Sequence, residues 1–260
     1  MMLRPGSDRR NAGRVLAVSG KGGAGKTALV AIMVGVLSKR ERFKILAIDA
    51  DSAACLPSAL GATVDRTVGD IREEIIRNPE AKNRIEDIPM QEVVADVMGR
   101  GNGFELLVMG RPEGPGCFCA VNDLLRYGIE TLSKDFDITL IDCEAGPEQI
   151  NRRVLRSVDT LVIVTDTSTR GIHNAMLIKK ITEENKDTSE TKMGLVINRV
   201  KEESKGIIEI AEQTGLKILG YIPEDENITR FDSVGKPIID LPHDSPGVVA
   251  VREILHQIGF

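Results

Sequence analysis

The chain has 260 residues and a formal net charge of −5, which argues against bulk electrostatic binding to nucleic acid or to an anionic membrane. Aromatic residues make up only 3% of it and tryptophan is absent, so a stacking platform for single-stranded nucleic acid is disfavoured. The sequence has neither a signal-peptide pattern nor an apolar run of the roughly 18 residues that span a bilayer. We therefore expect a cytoplasmic protein with no nucleic-acid or membrane partner.

The chain begins with a segment that lacks an apolar period. Residues 1–13 carry arginine and aspartate among proline, glycine, serine and asparagine, a composition that predicts a disordered extension. The remaining length can bury a complete core, and single α/β domains commonly reach this size. We therefore predict one domain over residues 14–260.

From residue 14 onward, short β-branched runs alternate with helical stretches. The predicted strands are Val15–Val18, Lys44–Ile48, Glu105–Met109, Ile138–Ile141, Leu161–Val164, Gly194–Ile197 and Ile218–Ile222. Such alternation predicts an α/β fold with a mostly parallel central sheet and helices on both faces. The charged stretch from Val68 to Arg100 indicates a helical insertion at one edge rather than part of the core. Residues Val248–Phe260 predict a helix that packs on the sheet.

The first predicted strand leads into a glycine-rich loop. Residues Gly20–Thr27 read GKGGAGKT, which fits the pattern G-x-x-x-x-G-K-[ST], and an apolar stretch follows over Ala28–Leu37. Between a strand and a helix, this pattern predicts a phosphate-binding loop. Lys26 would supply charge to the phosphates, and the Thr27 hydroxyl would ligate Mg²⁺. The backbone N–H groups that would surround the phosphates belong to Gly22, Gly23, Ala24 and Gly25.

Polar residues follow three of the other predicted strands. Asp49 and Asp51 follow the second strand, Asp142 follows the fourth, and Asn198 and Arg199 follow the sixth. Ligands of open α/β sheets bind at the carboxyl ends of the strands. Such aspartates are ordinarily solvated turn acids or helix caps, but next to a phosphate-binding loop we expect them to serve Mg²⁺ and water, with Asp49 and Asp142 reaching Mg²⁺ through water.

The second lysine of the glycine-rich loop, Lys21, carries a resemblance to a known family. With it, the segment Lys21–Thr27 resembles the deviant Walker A ATPases, a group of P-loop NTPases. This group includes the MinD and ParA positioning ATPases, the nitrogenase iron protein and the metal-cluster carriers. The resemblance implies a homodimer that sandwiches ATP, with Lys21 of each subunit reaching the ATP of the other. It also implies hydrolysis of ATP to ADP, with Lys21, Lys26 and Asp51 as the catalytic residues.

Carried over by position, the site residues of that family match further positions of this chain. Asp51 would orient the attacking water in the first switch, and Asp142 and Gly146 would belong to the second switch. Asn198 matches the asparagine that reads adenine, and we place Arg199 at the nucleotide beside it. The loop that would close over the base consists of Pro223, Glu224 and Asp225.

Two cysteines lie one residue apart, Cys117 and Cys119, after the glycine-proline stretch Gly114–Gly116. One chain offers only two thiolates there, whereas a tetrahedral structural site needs four. A two-fold dimer would supply four thiolates symmetrically, with the metal on its axis. The competing interpretation is a pair of small buried residues, the usual state of free cysteine. The strict C-x-C spacing after a glycine-rich approach favours the metal.

With that cysteine pair, the sequence resembles the CooC-type ATPases, accessory proteins that mature carbon monoxide dehydrogenase and acetyl-CoA synthase. The resemblance runs from about Arg14 to the C-terminus and includes Asp49–Asp51, Gly116–Cys119 and Asp142–Gly146. It implies Ni²⁺ or Zn²⁺ at the dimer interface and ATP turnover that accompanies nickel delivery to a client enzyme. Four thiolates alone favour tetrahedral Zn²⁺, so nickel comes from the resemblance.

Two other functions stay open. An ATP-dependent iron–sulfur reductase like the nitrogenase iron protein would also use four thiolates across a dimer, but that family places its cluster cysteines far apart. A MinD- or ParA-type positioning ATPase leaves the cysteine pair unexplained. Its membrane-bound version needs a basic amphipathic tail, and Arg252 is the one full positive charge within Val248–Phe260. We interpret the remaining cysteines, Cys55 and Cys143, as small packed residues.

Overall fold

The computed structural model describes residues 13–78, 90–111, 128–146, 157–185, 188, 190–201 and 205–260. The strands among these residues are β1 (Arg14–Gly20), β2 (Ile45–Ala50), β3 (Met98–Gly101), β4 (Phe104–Val108), β5 (Ile138–Cys143), β6 (Thr160–Thr165), β7 (Lys192–Val200) and β8 (Lys217–Pro223). They form one sheet in the order β3-β4-β2-β5-β1-β6-β7-β8. Neighbouring strands are parallel, except that β3 and β4 are antiparallel. The prediction of a mostly parallel central sheet is confirmed.

Helices cover both faces of this sheet, as predicted. The α-helices that the structure describes are α1 (Lys26–Ser38), α2 (Leu56–Leu60), α3 (Val68–Arg77), α4 (Met90–Ala95), α5 (Thr169–Glu184), α6 (Lys205–Glu212), α7 (Glu226–Ser233) and α8 (Pro246–Gln257). A π-helical turn lies at Gly128–Leu132, and 3₁₀ turns lie at Ser133–Asp135 and Ile238–Asp240. The core on one face contains residues of α1, α2 and α8, and the core on the other face contains residues of α3 to α6.

Alternate residues of the central strands enter these two cores. In β1, Leu16 and Val18 join the core that contains α1 and α8, whereas Val15 and Ala17 join the core that contains α3 and α5. A strand covered on both faces is a continuous apolar run, because neither of its sides faces water. For that reason the sequence predicts the strands well, and all seven predicted strands are present.

The charged stretch from Val68 to Arg100 departs from its prediction. Among its described residues, Val68 and Ile71 of α3 and Val93 of α4 are buried in the core, so the stretch is not a peripheral insertion. An amphipathic helix needs only one apolar stripe to pack against the core. Because the residues of its other face are charged, the overall composition of such a segment looks polar although the stripe is buried. The predicted position at one edge is correct, because the stretch ends in the edge strand β3, which the sequence did not predict.

The predicted C-terminal helix is present as α8. Val251, Ile254 and Leu255 are fully buried, and the helix packs against β8. Of the helices that the structure describes, none is long and apolar enough to cross a bilayer. The predicted extension over 1–13 lies outside the described residues except for Gly13, and the single domain over 14–260 stays a prediction.

The start of α8 is fixed by Asp225, the residue before α7. Its buried carboxylate accepts hydrogen bonds from the Ser245 hydroxyl, from the Gly247 N–H at 2.8 Å and from the Asn227 N–H at 2.9 Å. Burial raises the pKa of Asp225, but these hydrogen bonds outweigh burial and hold the pKa below its usual value. The ionised carboxylate therefore ties the beginning of α7 to the beginning of α8.

Asp225→Ala is expected to lower the free energy of unfolding by about 2–4 kcal/mol, because buried donors lose a charged acceptor. Since the folded pKa is depressed, the contribution is complete above the unfolded pKa of about 3.9 and is lost as pH falls through the folded pKa. Urea unfolding from pH 7 down to pH 2 should show the two proteins converging in acid. Asp232→Ala, at an exposed acid of α7, should change stability by less than about 0.5 kcal/mol. Equal stability of Asp225→Ala and wild type at pH 7 would contradict this role.

Candidate active site

The glycine-rich loop joins β1 to α1 in a conformation that requires glycine. Gly25, directly before α1, has φ 96°, and a Cβ there would lie 2.2 Å from Nδ2 of Asn198. A Cβ on Gly20 would lie 2.1 Å from the carbonyl oxygen of Val164 in β6. Gly22 and Gly23 are exposed at the tip, whereas Lys26 is buried. Strand, loop and helix thus follow each other as a phosphate-binding loop requires.

Asp142, at the end of β5, lies beside the first turn of α1. Its Oδ2 accepts a hydrogen bond of 2.6 Å from the Thr27 hydroxyl, and its side chain is 1% exposed. Its Oδ1 is buried and has no hydrogen-bond partner among the described residues. Burial raises the pKa of Asp142 to about 6, against the opposing effects of the Thr27 hydrogen bond and the Lys26 charge. A buried carboxylate with an unused oxygen beside this threonine fits the hydration shell of Mg²⁺.

Asp142→Asn is expected to raise the Mg²⁺ concentration for half-maximal nucleotide binding by about 10-fold or more, because groups that hold a metal's ligands typically contribute this much. Binding of a fluorescent ADP analogue across a Mg²⁺ titration measures it. Asp135→Asn, at an exposed acid before β5, is the matched control and should leave the titration unchanged. An unshifted titration for Asp142→Asn would contradict a role of Asp142 in Mg²⁺ binding.

Asp49 lies next to Asp142 on the neighbouring strand β2, in register with it. Each oxygen of Asp49 accepts one hydrogen bond from the backbone. Oδ1 accepts a hydrogen bond of 3.0 Å from the Asp51 N–H, and Oδ2 accepts one of 2.8 Å from the Leu56 N–H. Burial raises the pKa of Asp49 to about 7. Asp49 therefore lies beside Asp142 at the strand ends, as predicted, but its carboxylate is hydrogen-bonded to backbone N–H groups.

Asp51 lies in the turn between β2 and α2. It is half-buried, and its Oδ1 accepts a hydrogen bond of 2.9 Å from the Ala53 N–H. Its negative charge contributes to the raised pKa values of Asp49 and Asp142, although burial is the larger cause in both. The three carboxyl groups thus form one cluster beside the glycine-rich loop, as predicted from the strand ends.

Lys21 has a partner that the sequence did not predict. Its Nζ lies 3.2 Å from Oδ2 of Asp166, the residue directly after β6. The other oxygen of Asp166 accepts hydrogen bonds from the Ser168 N–H, at 3.1 Å, and from the Ser168 hydroxyl. Burial raises the pKa of Asp166, but the hydrogen bonds from Ser168 and Lys21 outweigh it and lower the pKa. Asp166 follows a strand next to β1, so the strand-end rule that selected Asp142 would also have found it.

The second predicted switch is attached to the glycine-rich loop at its start. The Gly146 N–H donates to the carbonyl oxygen of Gly20 at 3.0 Å, and the Ser19 hydroxyl donates to the carbonyl oxygen of Gly146 at 3.2 Å. Residues 147–156, which follow, lie outside the described residues. The contacts place Gly146 at the loop, and its role as a switch stays a prediction.

Asn198 contacts the glycine-rich loop directly. Its Nδ2 donates to the carbonyl oxygen of Ala24 at 2.8 Å, and its Oδ1 accepts from the Arg199 N–H at 2.9 Å. Arg199 itself is exposed and has φ 57°, in the left-handed region. The amide of Asn198 therefore braces the loop with one of its two N–H groups. Its reading of adenine, and the nucleotide contact of Arg199, stay predictions.

The predicted base-closing loop follows β8. Glu224 is exposed and lies 3.0 Å from the Lys201 ammonium, whereas the Asp225 carboxylate is engaged with the start of α8 as described above. Pro223 ends the strand. Closure over the base stays a prediction.

The cysteines divide into three cases. Cys143 is buried in the core, as predicted, and burial raises the pKa of its thiol far above the usual range. Cys55 is exposed, so its packing prediction is wrong: it is the residue before α2, where the chain turns at the surface. Cys117 and Cys119 lie outside the described residues. Within the ranges that the structure does describe, no group of three or more His, Cys, Asp or Glu side chains could hold a metal ion.

Comparison with known proteins agrees with this geometry. A family model described as the CobQ/CobB/MinD/ParA nucleotide binding domain matches residues 15–238. The chain is 38% identical over 253 residues to an uncharacterised ATP-binding protein of Methanocaldococcus jannaschii, covering 94% of this chain and 98% of that protein. It is 32% identical over 258 residues to the carbon monoxide dehydrogenase accessory protein CooC of Rhodospirillum rubrum, covering 87% and 89%.

A solved structure shares the fold. The septum site-determining protein MinD of Pyrococcus horikoshii, in complex with Mg-ADP, superposes with a TM-score of 0.72 at 23% identity, over 95% of this chain and 96% of that one. This similarity confirms the α/β fold and its parallel sheet. The family match spans the glycine-rich loop, the carboxylate cluster and Asn198. The chain therefore belongs to the CobQ/CobB/MinD/ParA family of nucleotide-binding domains and is an ATP-binding P-loop protein of that family.

Proposed function

We propose that the protein is a homodimeric, Mg-ATP-dependent metallochaperone that supports nickel insertion into carbon monoxide dehydrogenase or acetyl-CoA synthase. The observation that carries the proposal is the 32% identity to the accessory protein CooC over 87% of the chain. The pair Cys117 and Cys119 supports it, because two neighbouring thiolates are half of a tetrahedral site. The proposal has a nucleotide half and a metal half.

In the nucleotide half, the described residues have distinct tasks. Backbone N–H groups of the glycine-rich loop and the Lys26 ammonium would bind the phosphates, and Thr27, together with Asp142 through water, would hold Mg²⁺. Bound Mg²⁺ supplies neutralising charge on the β- and γ-phosphates. Asp51 orients a water that attacks the γ-phosphorus. The bond from the γ-phosphorus to its bridging oxygen then breaks and its electron pair leaves with ADP, while the water adds its hydroxyl to the phosphoryl group and releases one proton to solvent, which gives ADP and inorganic phosphate.

Lys21 links hydrolysis to the dimer. It lies in the glycine-rich loop with its side chain 37% exposed, and the described contacts hold it through Asp166, whose side chain is 24% exposed. An ion pair this exposed typically contributes about 0–1 kcal/mol, so leaving it costs little. Lys21 can therefore turn to the γ-phosphoryl group in the partner subunit, where its charge acts as an arginine finger does.

In the metal-binding part of the proposal, the Ni²⁺ or Zn²⁺ ion is the cargo that the protein carries. Cys117 and Cys119 of both subunits supply four thiolates, a soft donor set that suits Zn²⁺ and accepts Ni²⁺. The site is complete only in the dimer. Binding of ATP holds the two halves together, and hydrolysis lets them separate and release the ion to the client enzyme.

Anaerobic transfer of nickel to apo carbon monoxide dehydrogenase tests the proposal. Nickel-loaded protein is mixed with the apo-enzyme, and CO oxidation is followed with Mg-ATP, with Mg-ADP and with a non-hydrolysable ATP analogue. We expect recovered activity with Mg-ATP, and much less with the analogue or with ADP. Equal recovery with ADP, or with free nickel at the same concentration, would contradict a role for this ATPase in delivery.

A positioning ATPase is the second candidate, because the matched family includes MinD and ParA. Such a protein would bind a membrane or DNA in an ATP-dependent way. The apolar residues of α8 do not favour a membrane tail, since Val251, Ile254 and Leu255 are buried against the sheet. Co-sedimentation with anionic liposomes or with DNA, each with and without ATP, distinguishes this function from metal delivery.

The iron–sulfur reductase is distinguished by its spectrum. A [4Fe–4S] cluster bridged by four cysteines would give anaerobically purified protein a broad visible absorbance. We expect colourless protein as purified. A brown protein that contains iron and acid-labile sulfide, and whose colour is lost with Cys117→Ser, would favour the reductase instead.

A further inference from the structure

Asp49 and Asp142 occupy equivalent positions on neighbouring strands but have different partners. They are in register on β2 and β5, and both side chains are buried, 0% and 1% exposed. Register partners of a parallel pair point to the same face of the sheet, here the face of α1. Both carboxylates thus face the helix that follows the glycine-rich loop, but β5 is the neighbour of β1 and β2 lies one strand further away, so Asp142 is the nearer of the two to the loop. Their hydrogen bonds differ as well.

Asp49 binds both ends of the turn that contains Asp51. Its Oδ1 accepts from the N–H of Asp51, the first residue after β2, and its Oδ2 accepts from the N–H of Leu56, the first residue of α2. The described contacts of Cys55, the residue before α2, include no capping hydrogen bond from its side chain. Asp49 therefore replaces the missing cap, because an unpaired N–H at a helix start needs an acceptor.

The turn held in this way is strained. Ala54 has φ 49°, in the left-handed region that residues with a Cβ enter at a cost. Such a conformation persists only where surrounding contacts impose it. The described contacts that impose it are the two bonds of Asp49, the Ala53 N–H bond to Asp51 Oδ1 at 2.9 Å and the Ala54 N–H bond to the Asp51 carbonyl at 3.1 Å. The position of the Asp51 carboxylate thus depends on Asp49.

Asp142 shows the opposite pattern. One of its oxygens binds the Thr27 hydroxyl, and the other is buried with no partner within the part of the chain that the structure describes. An unused oxygen next to the loop is what a hydrated Mg²⁺ ion needs. Of the two neighbouring carboxylates, Asp142 is the one with a buried oxygen that accepts no hydrogen bond from the described residues.

We propose that Asp49 is a positioning residue for Asp51: it clamps the turn from Asp51 to Leu56 and acts on hydrolysis through that turn, without contacting Mg²⁺. This inference rests on the proposed ATP hydrolysis, in which Asp51 orients the attacking water. It replaces the expectation from sequence that Asp49 reaches Mg²⁺ through water.

The first test separates the two carboxylates kinetically. In Asp49→Asn, the side-chain oxygen can still accept a hydrogen bond from one of the two backbone N–H groups. The side-chain NH₂ group faces the other backbone N–H and cannot accept from it, so one end of the turn loses its hydrogen bond. We expect Asp49→Asn to lower kcat by at least about 10-fold through misplacement of Asp51, with KM and the Mg²⁺ half-saturation changed less than about 2-fold. Asp142→Asn, the matched variant, should instead raise the Mg²⁺ half-saturation by about 10-fold or more. A shift of the Mg²⁺ titration in Asp49→Asn as large as in Asp142→Asn would overturn the proposal.

The second test is a double-mutant cycle. If Asp49 acts only through Asp51, the double variant that combines Asp49→Asn with Asp51→Asn should have a kcat within about 2-fold of that of Asp51→Asn alone. A group that acts on the metal would lower the rate further, whether or not Asp51 is present. Multiplication of the two single effects would therefore overturn the proposal.

The third test needs no turnover. In the nucleotide-free protein, the amide hydrogens of Asp51 and Leu56 should exchange at least about 10-fold faster in Asp49→Asn than in wild type, and at the wild-type rate in Asp142→Asn. Should Asp49→Asn fail to fold, wild type alone decides: exchange of the Leu56 amide within about 10-fold of the random-coil rate overturns the clamp, and slower exchange supports it. If the protein hydrolyses no ATP, the proposed function fails while these exchange rates still report on the clamp.

Discussion

Lys21→Ala is expected to lower ATP turnover by at least about 100-fold, because a cation supplied by the partner subunit stabilises charge on the transferring γ-phosphoryl group. Nucleotide affinity should change less than about 3-fold, since an interaction made only in the transition state affects kcat rather than binding. Phosphate release and binding of a fluorescent ADP analogue measure the two quantities. Lys39→Ala, at an exposed lysine just after α1, is the control and should leave both unchanged.

A mixing experiment shows which subunit Lys21 serves. A heterodimer of Lys21→Ala and Asp51→Asn chains contains one site with its own Asp51 and the partner's Lys21, although each homodimer lacks a residue in both sites. Equal mixing of the two inactive variants should therefore restore about a quarter of the wild-type rate, because half of the dimers carry one complete site of two. No recovery would mean that Lys21 acts on the nucleotide of its own subunit.

The second large effect concerns the metal. Replacing both Cys117 and Cys119 by serine is expected to weaken Ni²⁺ and Zn²⁺ binding by at least about 100-fold, because thiolate ligation provides most of the binding free energy of such sites. ATP binding by the glycine-rich loop should stay unchanged. Anaerobic titration of each metal against a competing chelator measures the affinities.

Cys55→Ser is the matched control for this experiment. Cys55 is exposed, but the part of its side chain that is buried raises the pKa of its thiol, and the charges of Asp49, Asp51 and Asp142 raise that pKa further. Near neutral pH the Cys55 thiol is therefore protonated, whereas a metal ligand must be a thiolate. Its replacement should leave metal affinity unchanged. Tight metal binding by the variant without Cys117 and Cys119 would remove the basis for the metal half of the proposed function.

Features that depend on local sequence could be predicted. The strands are apolar runs because both of their sides are covered, and the glycine-rich loop has a fixed residue spacing between a strand and a helix. Both patterns can therefore be recognised in the sequence. The rule that ligands bind at the carboxyl ends of strands also located Asp51 and Asp142. These predictions needed no knowledge of strand order.

Features that depend on pairing could not be predicted. Asp49 and Asp142 both end buried apolar runs, and only the turn geometry brings two backbone N–H groups to one of them. The contact between Lys21 and Asp166 depends on β1 and β6 being neighbours in the sheet. Burial of Val68 likewise depends on packing that a charged helix sequence does not reveal.

The most direct test of the proposed function is the mass and metal content of the wild-type protein, measured together by anaerobic native mass spectrometry. Protein is incubated with Ni²⁺ or Zn²⁺ and either a non-hydrolysable Mg-ATP analogue or Mg-ADP. With the ATP analogue we predict a dimer that carries one metal ion per two chains, and with ADP we predict mostly monomer. A monomer that binds a metal ion on its own in both states, or an ATP-bound dimer that binds none, would contradict a metal site shared between two subunits.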